Sequence, residues 1–263
     1  MSERLPSRPV QLVRTALAAS WSMLSLVVFI PLALLALPFD RQQRVHDVCS
    51  ILWARGILAL GGARLVVRGA EHVSRDERYI IVANHQSLLD AVVVVGAVQP
   101  LTSLRMVAQV SVFRVPLIGW GMRLFGHISV DPASMRASLP GLQQAQQGAQ
   151  RRCSIVFFPE AGISRDGKMR PFHNSAFHIA ARAGVRVLPI TLSGAFDILP
   201  RHRKVAVRGG DILVTIHPPV GPLEQTHEAA VAASARCRET IEAALPQAPP
   251  EEPFREQGSL ELR

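Results

Sequence analysis

From Thr15 to Phe39 the chain carries no charged residue, and its next stretch changes rhythm rather than losing its apolar character. As a helix the run TALAASWSMLSLVVFIPLALLALPF extends roughly 37 Å, enough for a hydrocarbon core of about 30 Å. Pro31 lies inside it and could kink it. In RVHDVCSILWARGILAL, Val45, Val48, Ile51, Leu52 and Leu58 recur near helical spacing with Arg44 and Arg55 among them. That pattern suits a helix lying in a membrane interface with its arginines at lipid phosphates; an amphipathic helix packed on a core has the same pattern. Arginines flank the first run on both sides (Arg4, Arg8 and Arg14, then Arg41 and Arg44), so the positive-inside rule selects no orientation. No small-x-small cleavage site follows the run, which argues against a cleaved signal.

From about residue 62 short β-rich runs alternate with helical stretches. ARLVVRG, YIIVA, LRMVAQ, HISV, CSIVFF, VRVLPIT, KVAVRG and DILVTI read as strands, and helices are expected to begin near Ser87, Ser111, Ala133, Asn174 and Leu223. Strands interleaved with helices predict an α/β domain with a mixed or largely parallel sheet flanked by helices. The expected division is membrane-anchoring helices over 1–60, the α/β domain over 61–245, and a proline-rich, acidic, disordered tail over 246–263.

Composition narrows the partners. The net charge is +9 and only two lysines, Lys168 and Lys204, are present, so the cationic surface is almost all arginine. Arginine suits phosphate and anionic lipid, although a genome-wide compositional bias gives the same excess. Aromatic residues make up 5% of the chain, too few for a base-stacking platform, and no nucleic-acid-binding motif is present. Cys49, Cys153 and Cys237 are odd in number and far apart, as expected of reduced thiols in a cytosol-facing protein.

Two segments carry candidate chemistry, each at the end of an apolar strand, where α/β folds gather their ligands. VANHQSLLD follows YIIVA. Ser87-Leu-Leu-Asp90 fits a capping box, which places Asp90 in the first turn of a helix and His85 on the approach to it. The chain can then fold back and bring Asp90 to His85, fixing the ring tautomer and leaving a base near neutral pH. No G-x-S-x-G elbow accompanies the pair. Nor do His127, His173, His178 and His217 complete a metal-binding spacing, and no metal is expected. The second segment, FFPEAGISRDGKMRPF, sets Glu160 ahead of small residues and then of Arg165, Lys168 and Arg170. Ala161 and Gly162 permit close backbone approach, and the cations suit a phosphate; S-R-D-G is equally good turn chemistry.

Together these segments resemble the glycerolipid acyltransferase family, whose best-known members are 1-acyl-sn-glycerol-3-phosphate acyltransferases. The resemblance runs over roughly residues 40 to 220 in four ordered blocks: NHQSLLD; FRVPLIGWGMRLFGHISVDP, with Phe113, Pro116, Gly119, Gly126 and Asp131; FPEAGISRDG; and VLPITL around Pro189. It implies acyl transfer from acyl-CoA or acyl-carrier protein, as co-substrate with no cofactor, to the hydroxyl of lysophosphatidic acid, giving phosphatidic acid. His85 would be the general base and Asp90 its partner, with Asn84, Glu160, Ala161, Gly162, Ser164 and Arg165 at the substrate. It also implies an N-terminal two-helix membrane element, and so a catalytic domain on the cytoplasmic face of the inner membrane among membrane lipids. Three departures stand out, two of them lost arginines that the family associates with the acceptor's phosphate. Pro132 follows Asp131 where the family has arginine, Ala161-Gly162-Ile163 replaces Gly-Thr-Arg, and Gln109 stands near a usual lysine. Arg123, Arg136, Arg165 or Lys168 could contact a phosphate instead. A different lysolipid acceptor, such as a lyso-ornithine lipid, or a non-catalytic lipid-binding role are the alternatives.

Overall fold

A computed structural model describes residues 6–246 apart from 41, 42, 132, 152, 165 and 200–206. The tail beyond residue 246 and most of the expected KVAVRG strand lie outside the described residues; Val207–Gly209 are not a strand.

Two helices, α1 (Arg8–Ala36) and α2 (Arg44–Leu60), precede the sheet. The chain then runs β1 (Ala63–Arg68), β2 (Tyr79–Ala83), α3 (Asp90–Val98), β3 (Leu104–Gln109), α4 (Ile118–Leu124), β4 (Ile128–Val130) and α5 (Met135–Arg151). It ends with β5 (Ser154–Phe157), α6 (Ser175–Ala183), β6 (Arg186–Ser193), α7 (Ala195–Ile198), β7 (Gly210–Ile216) and α8 (His227–Ala243). The strands form one mixed sheet in the order β1-β7-β6-β2-β5-β3-β4. Neighbours from β6 to β4 are parallel, β7 is antiparallel to β6, and β1 is parallel to β7.

β2 and β5 sit centrally, covered on both faces, which is why their sequences are apolar throughout rather than alternating. Alternate residues still serve opposite layers. Ile81 joins Ala54, Leu58 and Val93 on the α2–α3 side, while Ile80 and Val82 join Phe177, Ala180 and Ile241 on the α6–α8 side.

The N-terminal pair belongs to the first of these layers. Trp21 Nε1 donates to Trp53 O (3.1 Å) and Trp53 Nε1 to Ser22 O (3.2 Å), locking α1 to α2. Gly56 is required beneath this lock, because a Cβ there would lie 2.1 Å from the Trp21 indole. Further contacts tie α1 to the sheet domain: Arg14 Nη1 donates to Arg208 O, and Thr15 Oγ1 accepts Val207 N–H. Its buried positions Ala18, Ser25, Leu26 and Ala33 form one stripe at near-heptad spacing, whereas Leu24, Val28 and Leu35 on its other faces are more than half exposed.

Candidate active site

The segment after β2 folds around one carboxylate. Asp90 is 1% exposed, and its Oδ2 accepts from Gln86 N–H (2.6 Å), Ser87 N–H (2.7 Å) and His85 Nδ1 (3.0 Å). A carboxylate only accepts, so Nδ1 carries the proton and Nε2 keeps its lone pair for a substrate. The His85 ring lies flat on Phe158, with centroids 4.1 Å apart, and remains partly open to solvent. The approach of Asp90 to His85 agrees with the sequence reading.

The cap does not. α3 begins at Asp90, not Ser87, and Leu89 stands in the cap position without a side-chain bond. Ser87 Oγ accepts Leu89 N–H and donates to Leu199 O across the domain. Only the backward half of the capping box survives, the Asp90 carboxylate on Ser87 N–H. The turn toward His85 is therefore made by Asp90 itself, whose single oxygen collects two consecutive amides and the ring.

Asn84 is fully buried; its amide reproduces a strand pairing with β6, accepting Leu192 N–H (2.8 Å) and donating to Leu192 O (2.9 Å). Glu160, 1% exposed, accepts His85 N–H through Oε1 (2.7 Å) and Arg170 N–H through Oε2 (2.8 Å). Its polar atoms thus point to the protein's own backbone. Burial pushes its carboxyl above the usual glutamate range, and those two N–H donors pull back against that shift. Ser164 is also buried, with its N–H on His85 O and its hydroxyl on Asp166. The loops after β2 and β5 are consequently stitched together through the backbone of His85.

The cations come from separate elements. Lys168 and Arg170 are exposed in the β5–α6 loop, Arg136 is exposed in the first turn of α5, and Arg123 lies 5.8 Å over the Phe113 ring at the end of α4. Arg165 falls outside the described residues. The structure singles out Arg170. A Cβ at Gly162 would lie 2.8 Å from Arg170 Nη1, so the guanidinium occupies the space that a side chain at 162 would fill. No carboxylate pairs with it among the described residues. The signal for this in the sequence was Gly162 itself, a missing side chain followed eight positions later by arginine. Phe158, the ring support, gave no signal beyond hydrophobicity.

All three cysteines are buried, and burial pushes the Cys237 thiol up to about 12, far from thiolate chemistry at neutral pH. No three of His, Cys, Asp and Glu cluster as a metal would need among the described residues. An apolar cavity of about 270 Å³ opens between α1, α2 and the sheet domain. Ala18, Ser22, Trp53, Leu58 and Leu199 line it together with Leu89, the residue before Asp90.

Comparison with known proteins supplies a frame for this geometry. Residues 64–193 match the family model described as Acyltransferase. A 1-acyl-sn-glycerol-3-phosphate acyltransferase of Chlamydomonas reinhardtii is 32% identical over 240 residues, covering 89% of this chain and 70% of that protein. A chloroplastic protein of the same name from Brassica napus is 34% identical over 184 residues, where this chain spans 52% of the relative's length. Among solved structures, the Thermotoga maritima 1-acyl-sn-glycerophosphate acyltransferase superposes with a TM-score of 0.73 at 22% identity, covering 89% of this chain and 92% of that one. That last likeness is one of fold.

Proposed function

The chain belongs to the acyltransferase family, and we propose that it moves a fatty acyl group from a thioester to the free hydroxyl of lysophosphatidic acid, giving phosphatidic acid. The observation that carries the reading is the His85–Asp90 contact, one carboxylate oxygen holding the imidazole and the two amides beside it. With Nδ1–H on Asp90, Nε2 takes the proton of the acceptor hydroxyl as that oxygen attacks the thioester carbonyl. The tetrahedral intermediate collapses, the thiolate leaves, and it takes up the proton. Asn84 and Glu160 serve by position rather than by touching substrate, since they fix the backbone on either side of His85. The apolar cavity lined in part by Leu89, one residue before Asp90, gives an acyl chain room in the same part of the fold.

Acceptor recognition falls to Arg170 in this scheme. The family's Thr-Arg is replaced by Gly162-Ile163, and the Arg170 guanidinium folds back over Gly162 into the vacated space. Glu160 anchors its backbone and that of His85 with one carboxylate, so the base and the guanidinium keep a fixed relation. A phosphate monoester is the ligand that an unpaired, planar fork of donors fits best.

The anchor lies in the membrane plane on this reading. α1 is long and apolar enough to cross a bilayer, but polar partners hold it at Arg14 and Thr15 and its Leu26 and Ile30 meet α4. A helix packed along one stripe (Ala18, Ser25, Leu26, Ala33) keeps that stripe on the protein and turns its remaining faces to lipid. The cytoplasmic face of the inner membrane, where unpaired cysteines stay reduced, is the proposed location.

The test follows thiol release from acyl-CoA and from acyl-carrier protein with a panel of lysolipids. Turnover of lysophosphatidic acid that vanishes in His85→Ala supports the assignment. Activity confined to acceptors without phosphate, such as a lyso-ornithine lipid, would replace the acceptor. Lipid binding without thiol release would leave a non-catalytic lipid-binding protein.

A further inference from the structure

Between β3 and α4 the chain makes a corner that is costly in water on two counts. Leu117 has φ 61° and ψ −56°, a γ-turn closed by Ile118 N–H on Pro116 O, in a region that L-residues avoid. Gly119 packs so tightly under it that a Cβ would lie 2.1 Å from Phe113 O. The strained backbone buries Phe113, yet it leaves Val112, Val115 and Trp120 at 38%, 43% and 60% exposed. Strain of this kind persists where the surrounding structure uses it, and here its visible product is an outward apolar cluster.

The cluster continues the outer face of α1. Gly121, next to Trp120, packs against Leu26 and Ile30, and the α1 residues beside that contact, Met23, Leu24 and Val27, are exposed. Arg114 and Arg123 stand exposed on the same corner. An indole tip, aliphatic neighbours and flanking arginines are the composition of a segment seated at the headgroup level of a bilayer. We infer that residues 112–120 form a second membrane contact, a hook that enters an anionic lipid surface beside α1. At the start of the corner, Gln109 Nε2 approaches Ala161 O within 3.5 Å, so the hook rests against the loop that carries Glu160. Seating it sets the substrate loop at the lipid surface, where a lysolipid acceptor is held. The inference is independent of which lysolipid is used.

Trp21 and Trp53 lie on the anchor helices and are half-buried, so the contribution of Trp120 is read as the difference between wild type and Trp120→Phe. The full chain, purified in detergent and bound to phosphatidylcholine–phosphatidylglycerol vesicles, is titrated with brominated phosphatidylcholine. Bromolipid is expected to quench the emission, and Trp120→Phe to remove a distinct part of that quenching, above the background left by the anchor tryptophans. Val112→Ser with Val115→Ser is expected to lower vesicle partitioning at least threefold while turnover in detergent micelles stays within twofold. Arg114→Gln should lower it about fivefold on anionic vesicles and not on neutral ones. Vesicle binding with Trp120 emission unquenched would place the hook outside the bilayer, facing water or a protein partner, and overturn the inference. Equal quenching in wild type and Trp120→Phe would do the same.

Discussion

The loops after β2 and β5 flank one histidine, His85, yet they spend their polar groups in opposite ways. In the first, Asn84, Gln86, Ser87 and Asp90 are buried and bonded within the protein, and only the His85 ring is left partly open. In the second, Glu160 and Ser164 are consumed inside while Lys168 and Arg170 stand in solvent. A group that must present one lone pair at a fixed point gains from a rigid surround, since misplacement by about 1 Å can cost on the order of 10²-fold in rate. A group that receives a diffusing anion has to remain accessible. On the proposed function, the division between chemistry and recognition is thus also a division between buried and exposed polar atoms.

If the division holds, variants on its two sides fail differently. The largest effect belongs to His85→Ala, expected to lower kcat by about 10²–10⁴ with lysophosphatidic acid and to spare the melting temperature. Thiol release and a thermal melt on the same sample check both parts; a matching loss of folding would mean that His85 is a packing residue. Next comes Arg170→Gln. A hydrogen bond to a charged group is worth about 1.5–3 kcal/mol, so kcat/KM should fall roughly 10- to 150-fold, mostly through KM, for a phosphate-bearing acceptor. With monoacylglycerol as acceptor the same variant should match wild type. Gly162→Ala, which crowds the guanidinium without removing its charge, should move the constants in the same direction by less.

Glu160 joins the two loops and is expected to fail in both ways at once. Glutamine can accept from only one of the two N–H donors, which leaves a buried donor unpaired at a cost of about 1–3 kcal/mol. Glu160→Gln should therefore lower the melting temperature and kcat together, by less in rate than His85→Ala. Its pH dependence has a definite sign. Burial raises the carboxyl in the folded protein, so the native state takes up this proton at higher pH than the unfolded chain. The stability from that shift is fully present below the ordinary glutamate value of about 4.5, and is lost as pH rises through the raised value. Melting curves of wild type and Glu160→Gln should differ more near pH 4.5 than near pH 8.

How far these features could be read from the sequence depended on whether they were local. His85 and Asp90 are five residues apart, and a strand before and a helix after leave the chain few ways to run between them. The apolar runs of β2 and β5 likewise announce central strands. Groups whose partners come from elsewhere gave no such sign: Ser87 reaches Leu199 and Asn84 reaches Leu192, each across more than a hundred residues. Ser87 was read as a cap because capping is a local rule, and a distant carbonyl overruled it. Of the expected strand KVAVRG, the described Val207–Gly209 are not a strand, and pairing with β1 begins at Gly210.

The smallest effect tests the strained end of the comparison. Ala161 has φ 51°, in the left-handed region where an L-residue pays about 1–2 kcal/mol, at the position where the resembling family has glycine. Everything before it is fixed by Glu160, and everything after it carries the exposed cations, so this residue is the joint between the two regimes. Ala161→Gly relieves the Cβ strain but frees the unfolded chain by about 0.5–1 kcal/mol, and a net gain of under about 1 kcal/mol remains. For a chain of this size that is about 2–4 °C in melting temperature at most. If the alanine only stores strain, stability rises and the kinetics stand still. If it stiffens the joint so that Arg170 stays over Gly162, stability rises while KM for the phosphate-bearing acceptor rises with it. A variant that gains in melting and loses in KM would show rigidity crossing from the buried loop into the exposed one, and the boundary between the two would then lie beyond residue 161.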